Sequence, residues 1–311
     1  MHHDQLDRDS GVKAPTPKLL QKSVAVLPFL VSACSGGVLD PHGPVSDAER
    51  HILFDATVIM LCVVVPVIIG TCLFAWWFRA GNLKAKRRPE WAYEGRIEFV
   101  VWTIPALVVL FLGGITWIGS HDLDPREPLH SRGPLRSSST PLDIQVVSLD
   151  WKWLFIYPGL GVASVNHLVV PVGMPLRFRL TSAGVMNSFF IPQFGSQIYT
   201  MAGMATELNL QTNDPGTFGG LSAQFSGDGF SDMRFDVVAV PTEEFGKWIE
   251  ATRAQGGSLD AKEYSSLAQP SERNPPITFG AVSGGLFDAI VANPGAPPTD
   301  IQDVHPAPEG S

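Results

Sequence analysis

Sulfur and imidazole side chains are the groups in this chain best suited to holding a transition metal, and they are unevenly placed. Cys34, Cys62 and Cys72 are the three cysteines, and none follows. Between Cys72 and the C-terminal His305 stand only His121, His130 and His167, with no paired spacing. A thiolate-bridged dinuclear centre needs soft sulfur and imidazole together, so the second half of the chain lacks the donors for one. Met233 is a lone thioether, and methionine readily fills apolar gaps. No Gly-x-x-x-x-Gly-Lys loop, His-Glu-x-x-His helix, Cys-x-x-Cys pair or Gly-x-Ser-x-Gly elbow occurs. Scattered Asp and Glu read as solvated surface. A self-contained enzyme is not indicated, and a net charge of -8 argues against a nucleic-acid partner.

Cys34 points to another chemistry. Lys13, Lys18 and Lys22 precede an apolar run from Val24 to Val31, which ends at Ser32-Ala33-Cys34. This is the three-part layout of a secretory signal peptide. Val31-Ser32-Ala33-Cys34 also resembles the bacterial lipobox, in which the cysteine is acylated and the chain is cut in front of it. Residues 1–33 are then a leader, Cys34 is the lipid attachment site, and 34–50 form a short external segment. An ordinary signal peptide with a chance cysteine is the alternative.

The elements around these residues follow from the hydropathy pattern. Ile52 to Phe78 is almost wholly apolar and long enough to cross a hydrocarbon core of about 30 Å, with Pro66 tolerated inside it. Trp76, Trp77 and Phe78 close it as an interfacial belt. A second apolar run, about Ile97 to Ile118, completes a hairpin over 51–119. Cys62 and Cys72 within it read as small buried hydrophobes. The connection, about 79–96, carries Arg79, Lys84, Lys86, Arg87, Arg88 and Arg96, which the positive-inside rule places in the cytoplasm. Both flanks then lie outside, as a lipobox requires. Glu98 opens the second helix, where a carboxylate complements the positive end of the helix dipole.

Beyond residue 120 a polar, Pro- and Ser-rich connection leads to short β-branched and aromatic runs. Strands are predicted at 144–147, 151–157, 167–170, 176–181, 188–191, 197–201, 206–210 and 234–240, the spacing of a sandwich or barrel. Past Val240 the pattern turns helical, with Thr242 as N-cap of a helix through about Ala254. From Asn293 to Ser311 Pro, Gly and Asp predominate, and a disordered tail is predicted.

Several of these segments together resemble subunit II of the haem-copper respiratory oxidases. Leu168-Val169-Val170-Pro171-Val172-Gly173-Met174-Pro175 and Ser188-Phe189-Phe190-Ile191-Pro192 resemble strands of its cupredoxin-like domain, and Asp150-Trp151-Lys152-Trp153 its aromatic segment. Pro270 to Phe287 resembles the aromatic-rich extension of quinol-oxidising members. Cytochrome c-oxidising members hold dinuclear copper in a Cys-Ser-Glu-x-Cys-Gly-x-x-His-x-x-Met loop plus a histidine in Asp-Val-x-His-Ser. Aligned with that loop, Phe225 and Gly229 stand at the cysteines, Gly227 at the glutamate, Met233 at the histidine and Asp236 at the methionine. Asn187 takes the place of the remaining histidine.

The resemblance therefore implies a fold of two transmembrane helices, a cupredoxin-like Greek-key barrel over 120–241 without copper ligands, and a helical, aromatic-rich extension over 242–292. It implies a non-catalytic subunit of a proton-pumping ubiquinol oxidase in the bacterial inner membrane. No cofactor is expected in this chain, while haem b, haem o or a, and copper are expected in subunit I. The implied partners are subunit I, the smaller oxidase subunits, membrane lipids and, through the complex, ubiquinol, with no cytochrome c docking. Trp151, at the electron-entry position of copper-bearing relatives, is expected to pack. Glu98 matches a glutamate associated in the family with the mouth of a proton channel, the alternative to its dipole role. A haem A-type quinol oxidase and a solitary lipoprotein with a cupredoxin-like module stay open.

Overall fold

The computed structural model describes residues 37–86, 90, 93–129 and 140–295. The leader, Cys34, Arg87, Arg88 and all but the first three residues of the predicted tail lie outside the described residues.

Two long helices come first, α1 (Pro44–Trp77) and α2 (Gly95–Asp122). Both carry an internal proline, Pro66 and Pro105, and neither is broken there. α1 starts two turns before the apolar run because its first turn is built into the β domain. Pro44 occupies the first helical position, where a missing N–H costs nothing. Ser46 Oγ lies 3.0 Å from the Gly43 carbonyl and 2.8 Å from that of Gln193, and accepts from Gly43 N–H at 3.1 Å. The helices meet closely at Gly119, where a Cβ would come within 2.8 Å of Ile52 Cδ1. Each leaves most of its apolar surface uncovered. Cys62 and Cys72 are exposed on α1, which corrects their predicted burial: two helices can shield only one face of each other.

Two sheets follow. Strands β1 (Leu142–Leu149), β2 (Lys152–Tyr157), β3 (Val162–Val165), β5 (Leu176–Ser182) and β8 (Thr206–Leu210) join β11 (Gly257–Leu259) and β12 (Ile277–Val282) in a seven-stranded sheet of order β11-β12-β3-β2-β1-β5-β8. The other sheet has the order β4-β10-β9-β6-β7 and contains β4 (His167–Pro171), β6 (Asn187–Ile191), β7 (Gly195–Thr200), β9 (Gly216–Ser222) and β10 (Arg234–Val240). Parallel pairs β1·β5 and β4·β10 tie distant segments together. The core between the sheets centres on Trp153, Phe155, Phe178, Phe189 and Phe235, with Phe189 and Phe235 stacked at 5.3 Å.

β2 is buried at all six residues because it has a core on each face. Side chains alternate along a strand, so Trp153, Phe155 and Tyr157 enter the core between the sheets. Leu154 and Ile156 enter a second core with Leu259, Tyr264, Phe279, Leu286, Phe287 and Ile290. The C-terminal extension comprises α3 (Thr242–Gln255), α4 (Ala261–Leu267), α5 (Leu286–Ala292), β11 and β12; α4, α5, β11 and β12 supply the second core, while Phe245 and Ile249 of α3 join the first. The extension is thus strand as well as helix, since β12 pairs with β3 from Ile277 opposite Val165. Thr242 is the first residue of α3 and not its N-cap, a position held by Pro241. With φ fixed near the helical value, proline presets the approach to the helix.

Candidate functional site

The loop between β9 and β10 packs on the turn between β1 and β2. Trp151 occupies that turn at φ 64, a region uncommon for a bulky residue. Its indole Nε1 donates to the Ser226 carbonyl at 3.2 Å. Gly227, at φ 108 and ψ -159, takes a conformation that is essentially glycine-only. Gly229 is buried flat against the Trp151 ring, and a Cβ there would overlap the indole carbons. A short 3-10 turn, Asp228–Asp232, leads to Met233, which is buried and receives the Ser226 hydroxyl on its sulfur at 3.8 Å.

Asn187 is buried at the start of β6, and its side-chain N–H donates to the Val185 carbonyl at 3.2 Å. Ser222 Oγ sits 3.1 Å from both Asn187 Oδ1 and the Gln224 carbonyl, so its one proton serves either acceptor. Asn187 is thereby joined to the loop that bears Phe225, Gly227, Gly229 and Met233. Asp236 is set apart, exposed on β10 opposite His167 of β4. Phe225 is 71% exposed and meets Phe230 edge-on at 5.6 Å.

Phe225, Gly227 and Gly229 have no side-chain donor atom, the Asn187 amide is spent on neighbours, and Asp236 lies outside the loop. Among the described residues no three His, Cys, Asp or Glu converge as a metal group. These residues do not fit a thiolate-bridged copper centre. Glu98 sits in the first turn of α2, exposed.

A cluster that sequence reasoning missed joins the site to the extension. Lys152, next to Trp151, is 1% exposed. Its ammonium donates to the Gln269 carbonyl at 2.7 Å and to the Ser271 hydroxyl. Burial lowers its pKa, against the opposing pull of Asp150. Asn166 makes a second link, accepting from Trp153 N–H at 2.8 Å and donating to the Asn274 carbonyl at 3.2 Å. A lysine inside an otherwise apolar and aromatic strand was the available signal, because lysine is almost never fully buried unless paired. His167 is held below the usual histidine range by burial, which Asp236 partly offsets.

The family described as "Cytochrome C oxidase subunit II, periplasmic domain" matches residues 146–240, and the "COX Aromatic Rich Motif" matches 253–293. Helix pair, cupredoxin-like β domain and aromatic-rich extension together define a membrane-anchored oxidase subunit II. Over 264 residues the chain is 47% identical to ubiquinol oxidase subunit 2 of Acetobacter aceti, covering 85% of this chain and 84% of that relative. It is also 47% identical over 263 residues to cytochrome bo(3) ubiquinol oxidase subunit 2 of Pseudomonas aeruginosa, covering 85% and 78%. It belongs to the ubiquinol oxidase subunit 2 family. The solved periplasmic domain of subunit II of cytochrome oxidase from Bradyrhizobium japonicum is 27% identical, with a TM-score of 0.35 over 36% of this chain and 94% of that one.

Proposed function

We propose that this chain is the second subunit of a proton-pumping ubiquinol oxidase and carries no redox centre of its own. The observation that carries the reading is the loop from Gln224 to Met233. Its would-be ligand positions are Phe225, Gly227, Gly229 and a lone thioether, Met233, and the Trp151 ring lies where a side chain at Gly229 would project. The names of the relatives point the same way. Asn187, Phe225, Gly227, Gly229, Met233 and Asp236 are then the positions of a lost copper site, retained as scaffold. Electrons enter from ubiquinol within the complex, and haem b, haem o or a, and copper belong to subunit I. The hairpin packs on subunit I, and the β domain stands in the periplasm with the basic connection at 79–96 in the cytoplasm. Cys34 anchors the N-terminus through lipid once residues 1–33 are removed. Glu98, at the cytoplasmic start of α2, is placed to serve a proton entrance.

Affinity purification of the chain from its membrane tests this. The expected result is co-purification of a many-helix haem protein, ubiquinol-driven oxygen uptake, and no copper absorption from this subunit. A monodisperse solitary chain without haem, or oxygen uptake driven by cytochrome c with copper in this subunit, overturns it. Intact-mass measurement of the same material reads the state of Cys34.

A further inference from the structure

The outer surface of α1 holds an apolar groove of about 370 Å³ lined by Gly70, Leu73, Phe74, Trp76 and Trp77. Gly70, Leu73, Phe74 and Trp77 follow the i, i+3, i+4, i+7 spacing of one helix face. Gly70 makes the notch, with nothing within 4 Å of where its Cβ would stand. The walls are the large side chains of Leu73, Phe74 and Trp77, all exposed. From Gly70 to Trp77 the groove runs roughly 10 Å along the helix axis, at 1.5 Å per residue.

The groove changes character at one end. Arg79 stacks its guanidinium over the Trp76 ring, 5.1 Å from the centroid, and places one N–H 3.5 Å from the Trp76 carbonyl. Most of the five guanidinium N–H groups are left for an anion. Asn82 satisfies the Trp77 carbonyl at 2.6 Å, so that carbonyl does not compete for Arg79. Lys84 and Lys86 follow in the exposed connection. Tryptophan belongs at the level of lipid headgroups, and basic side chains just beyond a membrane helix attract anionic lipid.

We propose that this groove is a binding site for one anionic phospholipid, with an acyl chain seated on Gly70 between Leu73, Phe74 and Trp77 and its phosphate on Arg79. The apolar walls alone would accept a helix of a partner subunit equally well. The charge at the mouth favours lipid, because Arg79 beside Trp76, with Lys84 and Lys86 following, sets basic groups at the headgroup level where an anionic phosphate lies. The site requires only that α1 spans the membrane, and does not depend on the electron donor of the complex.

The test uses the purified complex in nanodiscs of phosphatidylcholine containing a minor fraction of phosphatidylglycerol, with retained lipid read by native mass spectrometry. One phosphatidylglycerol per chain is expected. Gly70→Leu fills the notch without a clash and abolishes retention. Arg79→Gln lowers phosphatidylglycerol retention about fivefold, the effect of one basic group near the surface, and leaves phosphatidylcholine retention unchanged. Undiminished phosphatidylglycerol in Arg79→Gln overturns the proposal by itself. Release of the haem-bearing partner by Gly70→Leu, with retained lipid unaltered, assigns the groove to a partner helix and also overturns it.

Discussion

Gly229 and Trp151 are fitted to each other: the residue without a Cβ lies flat on the ring that leaves no room for one. The indole cannot easily withdraw, since its Nε1 holds the Ser226 carbonyl and its backbone sits in a tight turn at positive φ. Gly229→Ala is therefore an overpacking change, and a loss of about 1–3 kcal/mol is expected, read as a lowered denaturation midpoint of the purified chain. An unchanged midpoint would show that the ring moves freely. His167 sets a pH dependence nearby. Its folded pKa is depressed by burial, with Asp236 opposing, so the unfolded chain binds the extra proton first as pH falls. The contribution is complete above the unfolded value of about 6.5 and is lost as pH drops through the lower folded value. Asp236→Asn removes the opposing carboxylate and steepens that loss, while His167→Gln flattens it. Unfolding free energy measured from about pH 7 down to about pH 5 separates the three.

At the scale of elements, β2 explains why the extension belongs to the domain. A strand with cores on both faces is stable only when both are supplied, and α4, α5, β11 and β12 supply the second. Lys152 fastens that layer through Gln269 and Ser271. Lys152→Met removes the charged donor to the Gln269 carbonyl and the Ser271 hydroxyl, a loss of about 1.5–3 kcal/mol for a hydrogen bond from a charged group, partly offset by relief of the buried charge. Faster amide hydrogen exchange is expected across Ile277–Val282, with β1 and β5 unaltered; equal protection in both would remove Lys152 from this role. The sequence made the β-branched strands legible, as in Leu176–Ser182 and Arg234–Val240. It hid Gly216–Ser222, whose three glycines weaken any strand signal, and Val162–Val165, four residues between Gly161 and Asn166. Ile277–Val282 passed as part of a helical extension because its partner β3 lies over a hundred residues away. The missing copper ligands could be read directly. What occupies their space could not, because the place of Trp151 depends on a turn whose conformation only the folded sheet fixes.

Across the whole molecule, the β domain is gripped at both ends of the hairpin. At the start of α1, the His42 carbonyl accepts from Asn213 N–H at 2.8 Å, the His42 ring reaches Asp214 at 2.9 Å, and Ser46 caps Gln193. After α2, the Pro125 carbonyl receives both the backbone and side-chain N–H of Asn209 at 3.0 Å. The predicted polar tether is thus partly docked, and Leu129 is buried in the main core. A domain held at two points has a fixed orientation relative to the hairpin. Gly195 is a sensitive point of the first grip. It has φ 125, and a Cβ would lie 2.7 Å from Val45 Cγ1 and 3.0 Å from the Ser46 backbone nitrogen. Gly195→Ala is expected to cost about 1–3 kcal/mol in local strain, raising the population with a released α1 contact about 5- to 150-fold. The sheet containing β1 and β5 does not include Gly195, so the domain should stay folded while its attachment loosens. Limited proteolysis of the intact complex measures this, with cleavage around residues 37–43 and 123–129 rising ahead of any cut within β1 to β5. Simultaneous cleavage throughout the domain would mean that the grip and the fold are one cooperative unit.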